Sequence, residues 1–348
     1  MITIPSMKIH VDKIGSVAKN AHLPRTVEIS KTLRPEEGAI LVVEVLEDKK
    51  IYNCLELPTG KMSVLHKGDV VVVALGNRRA LQGFVGEVPK TLKVGDVIHV
   101  LNIGGVAGVC TDASVKEVGD PLRVRVLGQV TGPDFSPLTL KTHRLFDPHT
   151  LLESRVPLIV VSGTCMNTGK TSVACEIIRY ASRKKWKVFA AKLAGVAAIK
   201  DLELMKKNGA QQTVSFVDAG YASTVRSNGM VAAIAKGAID YLSAKKPDVI
   251  VIEFGDGIFG EYGVQTVLKD PEIQSQIVAH IGCANDPAGA LKLVEICQEI
   301  GAPLDVVSGP VTDNSVGVNF LHQHLKIPAC NALTQGENLF EHVLKRFE

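Results

Sequence analysis

The 348-residue sequence has little of what would tie a protein to a membrane, an oxidising compartment or a nucleic acid. No run of 18 or more uncharged apolar residues occurs, so there is no candidate for a spanning helix. The stretch Met1–His10 has no long apolar signal core, and a cytoplasmic protein is the expectation. A net charge of +3 is too small to provide a basic track, and aromatic residues make up only 5%. Both argue against nucleic acid as a partner, and no membrane surface is called for. The seven cysteines are odd in number and show neither Cys-x-x-Cys nor Cys/His ligand spacing. Reduced thiols are therefore expected, without disulfides or structural zinc. What remains is a soluble globular composition, 46% apolar and 22% charged, in a chain longer than one core usually supports.

The two halves carry different periodicities. Up to about residue 150 the apolar runs are short and valine-rich: 39–46, 69–75, 81–85, 96–101 and 122–127. Lys67-Gly68-Asp69 and Val94-Gly95-Asp96 are turn signals leading straight into strands, and together they hint at an internal duplication. Closely spaced strands with such turns predict an antiparallel barrel or sandwich over 1–150. Pro133, Pro137 and Pro148 punctuate a polar stretch from about 131, read as the linker. Over 151–348, expected strands at 158–162, 187–192, 213–218, 249–254, 277–283, 304–308 and 327–330 alternate with helical segments such as 230–244 and 288–300. That alternation predicts an α/β domain, its mostly parallel sheet lying between helices. Ligands of such sheets bind beyond the carboxyl ends of the strands.

The most informative stretch lies at the first of those ends. Ile159-Val160-Val161 leads into Gly163-Thr164-Cys165-Met166-Asn167-Thr168-Gly169-Lys170-Thr171-Ser172, and an apolar helix follows. Strand, glycine loop and a helix opening on Gly-Lys-Thr make a phosphate cradle, where loop N–H groups and the helix dipole favour negative charge. Residues 163, 164 and 166–172 are the expected nucleotide contacts. Lys170 reaches the β- and γ-phosphates, and the Thr171 hydroxyl is placed for Mg²⁺. Gly163 lies six residues before Gly169, one more than the general motif, giving Gly-Thr-x4-Gly-Lys-Thr. Cys165 is either a reactive thiol or a plain filler of this loop.

Three further strand ends carry chemistry. Lys192 closes the second strand and points either into the crevice or to solvent, while Asp201 either caps the next helix or faces the metal. Val249-Ile250-Val251-Ile252-Glu253 places an acid after four apolar residues, with Gly255 and Gly257 beyond it. A carboxylate there is expected to find a cation, and Glu253 is preferred to Asp256 as the metal carboxylate. Asn285 follows the fifth strand, as a contact for a purine edge or as part of the cap of the next helix. No Asn/Thr-Lys-x-Asp guanine motif occurs, which favours ATP.

In chain order these elements resemble the dethiobiotin synthetase family: Gly163-Thr164…Gly169-Lys170-Thr171, then Lys192, Asp201, Ile252-Glu253…Gly255 and Gly282-Cys283-Ala284-Asn285. The resemblance covers about 157–300. It implies a P-loop NTPase domain with Thr171, Asp201 and Glu253 around Mg²⁺, Lys192 on substrate and phosphate, Asn285 on adenine, and a homodimer. It departs at Lys192-Leu193, where the family has Lys-Pro, and at Glu253-Phe254-Gly255-Asp256-Gly257, where it has Glu-Gly-x-Gly-Gly. Those departures lie near the substrate, so biotin synthesis is not assigned. A group of bacterial P-loop proteins with an extra N-terminal domain, the DUF1611 group, is similar in layout.

In the first half, Gly76-Asn77-Arg78-Arg79 and Asn102–Gly108 read as surface loops, with Arg78 and Arg79 able to meet an anion. His322 and His324 read as surface residues on a strand. The functional expectation is an ATP- and Mg²⁺-dependent kinase or ligase that passes a γ-phosphoryl group to a small, anionic acceptor near Lys192 and 256–260, with Lys170 and Lys192 catalytic. The alternatives are a GTPase-type switch or metallochaperone, and a polynucleotide 5′-kinase.

Overall fold

A computed structural model describes residues 7–225 and 229–348; the first residues of the stretch Met1–His10 read above lie outside it. The chain divides into two compact units, and they are not simple halves of the sequence. The first comprises Met1–Leu145 with Val196–Lys200 and Phe216–Val225; the second comprises Phe146–Gly195, Asp201–Ser215 and Arg226–Glu348.

In the first unit five strands close on themselves. Leu122–Val130 pairs antiparallel with Ile40–Val45, which pairs antiparallel with Val70–Leu75. Val70–Leu75 runs parallel to Val106–Ala113, which pairs with Val97–Val100, and that strand returns to Leu122–Val130. The result is a barrel. Alternate residues fill its interior, including Leu41, Val43, Val45, Val71, Val73, Val124 and Val126, as the two-residue period of a strand requires. The Gly-Asp turns that hinted at duplication are structurally alike. Gly68 and Gly95 adopt φ of +90° and +94°, where a Cβ is penalised. Asp69 and Asp96 each accept the N–H three residues back, from His66 and Lys93, at 2.7 Å.

Two expectations for this unit are corrected. Arg78 is not on a surface loop: it is 4% exposed, wedged beside the Tyr52 and Phe84 rings, with its guanidinium bonded to the Leu101 carbonyl and the Tyr52 hydroxyl. Arg79 is ion-paired with Glu87. Asn102–Gly108 is likewise interior. Asn102 is buried, and Val106 opens a barrel strand whose sequence signal was hidden by its glycines.

The second unit holds a six-stranded parallel sheet: β1 (Leu158–Gly163), β2 (Val188–Ala194), β3 (Gln212–Ser215), β4 (Val249–Phe254), β5 (Ile277–Cys283) and β6 (Val306–Ser308), in the order β3-β2-β4-β1-β5-β6. Helix α1 (Lys170–Arg183) places Val173, Ala174, Ile177, Ile178 and Ala181 on one apolar stripe. That stripe packs on Ile159, Val161, Ala190, Val249 and Val251, in one core with Leu202, Met205 and helix Gly336–Leu344. Helix Met230–Ser243 packs against β2 and β3, and helix Pro287–Glu299 against β5.

The expected seventh strand at 327–330 is a single bridge from Val307 to Ala329. Pro328 has no N–H to donate, so the ladder stops there. Past Ser215 the expected strand to 218 turns into a 3₁₀ helix, Phe216–Ala219. His322 and His324 are exposed, as expected, but on a π turn (Leu321–Leu325), not a strand. No helix among the described residues is long and apolar enough to cross a membrane.

Candidate functional site

Register and side-chain alternation bring the site together. Glu253 pairs across the sheet with Val161 on one side and Lys192 on the other. Each is an even number of residues from a core residue facing α1 (Val251 to Glu253, Ala190 to Lys192, Val161 to Gly163). Strand alternation therefore puts Gly163, Glu253 and Lys192 on one face, at neighbouring carboxyl ends, under the start of α1.

The loop 164–169 folds over its own lysine. Lys170, 5% exposed, donates to the Cys165 carbonyl at 2.6 Å and to Thr168 Oγ1 at 3.3 Å. Thr168 Oγ1 donates in turn to the Cys165 carbonyl at 3.1 Å. Asn167 and Gly169 take positive φ, 61° and 85°, which curls the loop back onto the helix start. Thr164 donates its N–H to the Cys283 carbonyl at 2.9 Å, and Ile258 donates to the Gly163 carbonyl at 2.8 Å. The loop is thereby tied to the ends of β5 and β4. Burial holds the Lys170 ammonium below its ordinary pKa and pushes the Cys283 thiol up to about 12.

Thr171, on the first turn of α1, donates to Glu253 Oε1 at 2.9 Å. Lys192 is ion-paired with Asp201 and stands 3.8 Å from Glu253 Oε1. Glu253 is 2% exposed and Asp201 8%. Burial raises the Glu253 carboxyl above the usual carboxylate range, against the pull of Lys192. Its second oxygen, Oε2, is buried with no hydrogen-bond partner among the described residues. An orphaned carboxylate oxygen beside a second carboxylate and a threonine hydroxyl fits a hard divalent cation such as Mg²⁺. No group of three His, Cys, Asp or Glu residues able to hold a metal occurs among the described residues. The set suits an ion whose remaining positions are filled by phosphate oxygens and water.

Lys192 is ion-paired with Asp201, and both side chains are largely buried. Asp256 adopts φ of 62° in the loop after β4. The cap of helix Pro287–Glu299 is Asp286, which accepts the Gly289 N–H at 2.9 Å. Asn285 is left exposed, its amide 3.5 Å from Cys165 Sγ at the edge of the phosphate loop. Met166 lies in the loop, its carbonyl accepting from Cys165 Sγ, and Ser172 lies in the first turn of α1.

Sequence reasoning missed two supports. Gly309, just past β6, has φ of +90°, and a Cβ there would meet the Thr168 carbonyl at 2.5 Å and the Ala284 carbonyl at 2.9 Å. Ser308-Gly309-Pro310 was a legible turn at a strand end, but not a legible neighbour of the loop. Beneath the loop, buried His280 bonds Ser162 Oγ at 2.7 Å and the Ala302 carbonyl at 2.9 Å. A carbonyl only accepts, so Nδ1 carries the proton and Ser162 donates to Nε2. Burial holds this imidazole neutral, its pKa lowered to about 4.

Parallel sheet, glycine loop and strand-end carboxylate give this unit the layout of a P-loop α/β fold. No protein-family model matches the chain, and no curated protein matches it. Similar solved structures include the cell division protein FtsY of Thermotoga maritima, 17% identical over 59% of this chain and 74% of that one, TM-score 0.39. A DUF1611 family protein from Anabaena variabilis is 13% identical over 56% of this chain and 58% of its own, TM-score 0.39. A LAO/AO transport system kinase is 13% identical over 56% and 60%, TM-score 0.36. Likeness at this level carries neither family membership nor activity to this chain.

Proposed function

We propose that this protein is an ATP- and Mg²⁺-dependent enzyme that transfers the γ-phosphoryl group to an oxygen of a small, anionic acceptor. Where that oxygen belongs to a carboxylate, the product is an acyl phosphate open to attack by an amine, as in the ligases the motifs resemble. The observation that carries the reading is the convergence of Lys170, Thr171, Lys192, Asp201 and Glu253 at the carboxyl ends of β1, β2 and β4.

Thr171, Glu253 and Asp201 would hold Mg²⁺, which would supply charge neutralisation at the phosphates. Loop N–H groups 164–170 and the Lys170 ammonium would hold the β- and γ-phosphates in line. The acceptor would lie towards Lys192 and the glycine-rich 255–260 segment. Asn285, exposed and not the cap of the following helix, would meet the base. Small acceptor, ATP and Mg²⁺ are all parts of this proposal.

The test is thermal unfolding with Mg²⁺ plus ATP or GTP, on wild type and on Lys170→Ala. Nucleotide at a hundred times its Kd stabilises the fold by about 2.7 kcal/mol, and the mutant should lose that shift. A response to ATP alone supports the reading. A response to GTP alone moves it to a guanine-driven switch, and no response to either overturns nucleotide binding.

A further inference from the structure

Lys192 occupies the place where a cation is wanted. Its ammonium is paired with Asp201 and lies 3.8 Å from Glu253 Oε1. Two buried carboxylates this close repel each other strongly unless a positive charge sits among them. Lys192 is the ammonium within 4 Å of both carboxylates, with Lys170 attracting Glu253 from farther off, yet Glu253 Oε2 has no hydrogen-bond partner among the described residues. A divalent ion would balance both charges and release the lysine.

We propose that Lys192 is a resident counter-ion that yields the Asp201–Glu253 pair to a divalent cation, and that only then does its ammonium turn to the phosphoryl oxygens and the acceptor. The proposal rests on the phosphoryl-transfer reading and adds an order to it: the site acquires its second catalytic lysine when the metal arrives. Three features of the fold suit the exchange. Lys192 and Glu253 are cross-strand partners in the middle of a parallel sheet, so the main chain stays put and only the side chain moves. The lysine is a point charge on a flexible four-carbon stem, which an arginine is not. The stem passes Gly255, where an added Cβ would lie 3.2 Å from Lys192 Cε; glycine leaves that path open.

The exchange is tested without nucleotide. Mn²⁺ binding to the full-length protein is followed by electron paramagnetic resonance for wild type, Lys192→Met, Lys192→Arg and Lys192→Met/Asp201→Asn. Removing the competing charge should tighten Mn²⁺ binding at least about tenfold in Lys192→Met. Lys192→Arg, still charged, should stay near wild type, and the added Asp201→Asn should cancel the gain. Equal or weaker binding by Lys192→Met overturns the proposal.

A second measurement needs no variant. In wild type, reductive methylation of Lys192 read by mass spectrometry should rise as Mn²⁺ saturates the site, and unchanged reactivity at saturation overturns it. Both readouts are independent of ATP and GTP, so their failure is distinct from failure of the nucleotide reading.

Discussion

Thr171 and Glu253 meet across 2.9 Å, the hydroxyl on the first turn of α1 donating to the carboxylate at the end of β4. This bond ties the glycine loop's helix to the Glu253 carboxylate at the end of β4. It occupies one Glu253 oxygen, while the other has no hydrogen-bond partner among the described residues.

Glu253→Gln should therefore separate stability from activity. The neutral amide keeps an oxygen for Thr171 and sheds the burial cost of a charge. Stability in urea should stay within about 1 kcal/mol of wild type, or rise. Phosphoryl transfer should fall by roughly two orders of magnitude or more. A parallel loss of both would place Glu253 in the fold and not in the chemistry.

His280 predicts a pH dependence of stability. Its pKa falls from the ordinary 6.5 to about 4 in the folded chain. As pH drops through that window the unfolded chain takes up a proton that the native state refuses. The contribution is thus present above pH 6.5 and lost towards pH 4, roughly 3 kcal/mol in all. Urea unfolding of wild type and His280→Gln from pH 4 to 7.5 should show the two stabilities converging as pH falls. Comparison of the pair isolates this imidazole from carboxylates that titrate in the same range.

Gly309→Ala should damage the phosphate loop from outside it. The new Cβ meets two carbonyl oxygens and forces a residue with φ of +90°. A destabilisation above about 1 kcal/mol is expected. Nucleotide affinity, measured by calorimetry, should fall with it.

Asn285→Ala should change base recognition and little else. The side chain is exposed and is not the helix cap. Stability should move by less than about 0.5 kcal/mol. The Kd for ATP should weaken about tenfold, while that for inorganic triphosphate stays unchanged. Equal weakening of both would move Asn285 from the base to the phosphates.

Much of the site was legible because its parts lie where strand periodicity ends. Gly163–Thr171 declares itself by spacing, and Glu253 by an acid following four apolar residues. Lys192 and Asp201 were ambiguous. A lysine at a strand end and an acid at a helix start each have ordinary uses, and only the register beside Glu253 selects between them. Arg78 misled, because a charged pair after a strand looks exposed until the Tyr52 and Phe84 rings are seen to enclose it.

By itself the sequence determined the local chemistry: a β-rich first part, an alternating second part, a phosphate loop and an acid at a strand end. These follow from period, turn residues and motif spacing, which act over a few residues. The tertiary structure alone decided which distant residues share a charge, as Lys192 does with Asp201 and Glu253. It also decided that Gly309 lies against the loop and that His280 sits under Ser162. It decided, too, that Val196–Lys200 and Phe216–Val225 belong to the barrel unit, where buried Glu56 accepts the N–H groups of Ile199 and Lys200 at 2.7 Å. Such pairings depend on sheet order and register across more than a hundred residues, and no local pattern encodes them.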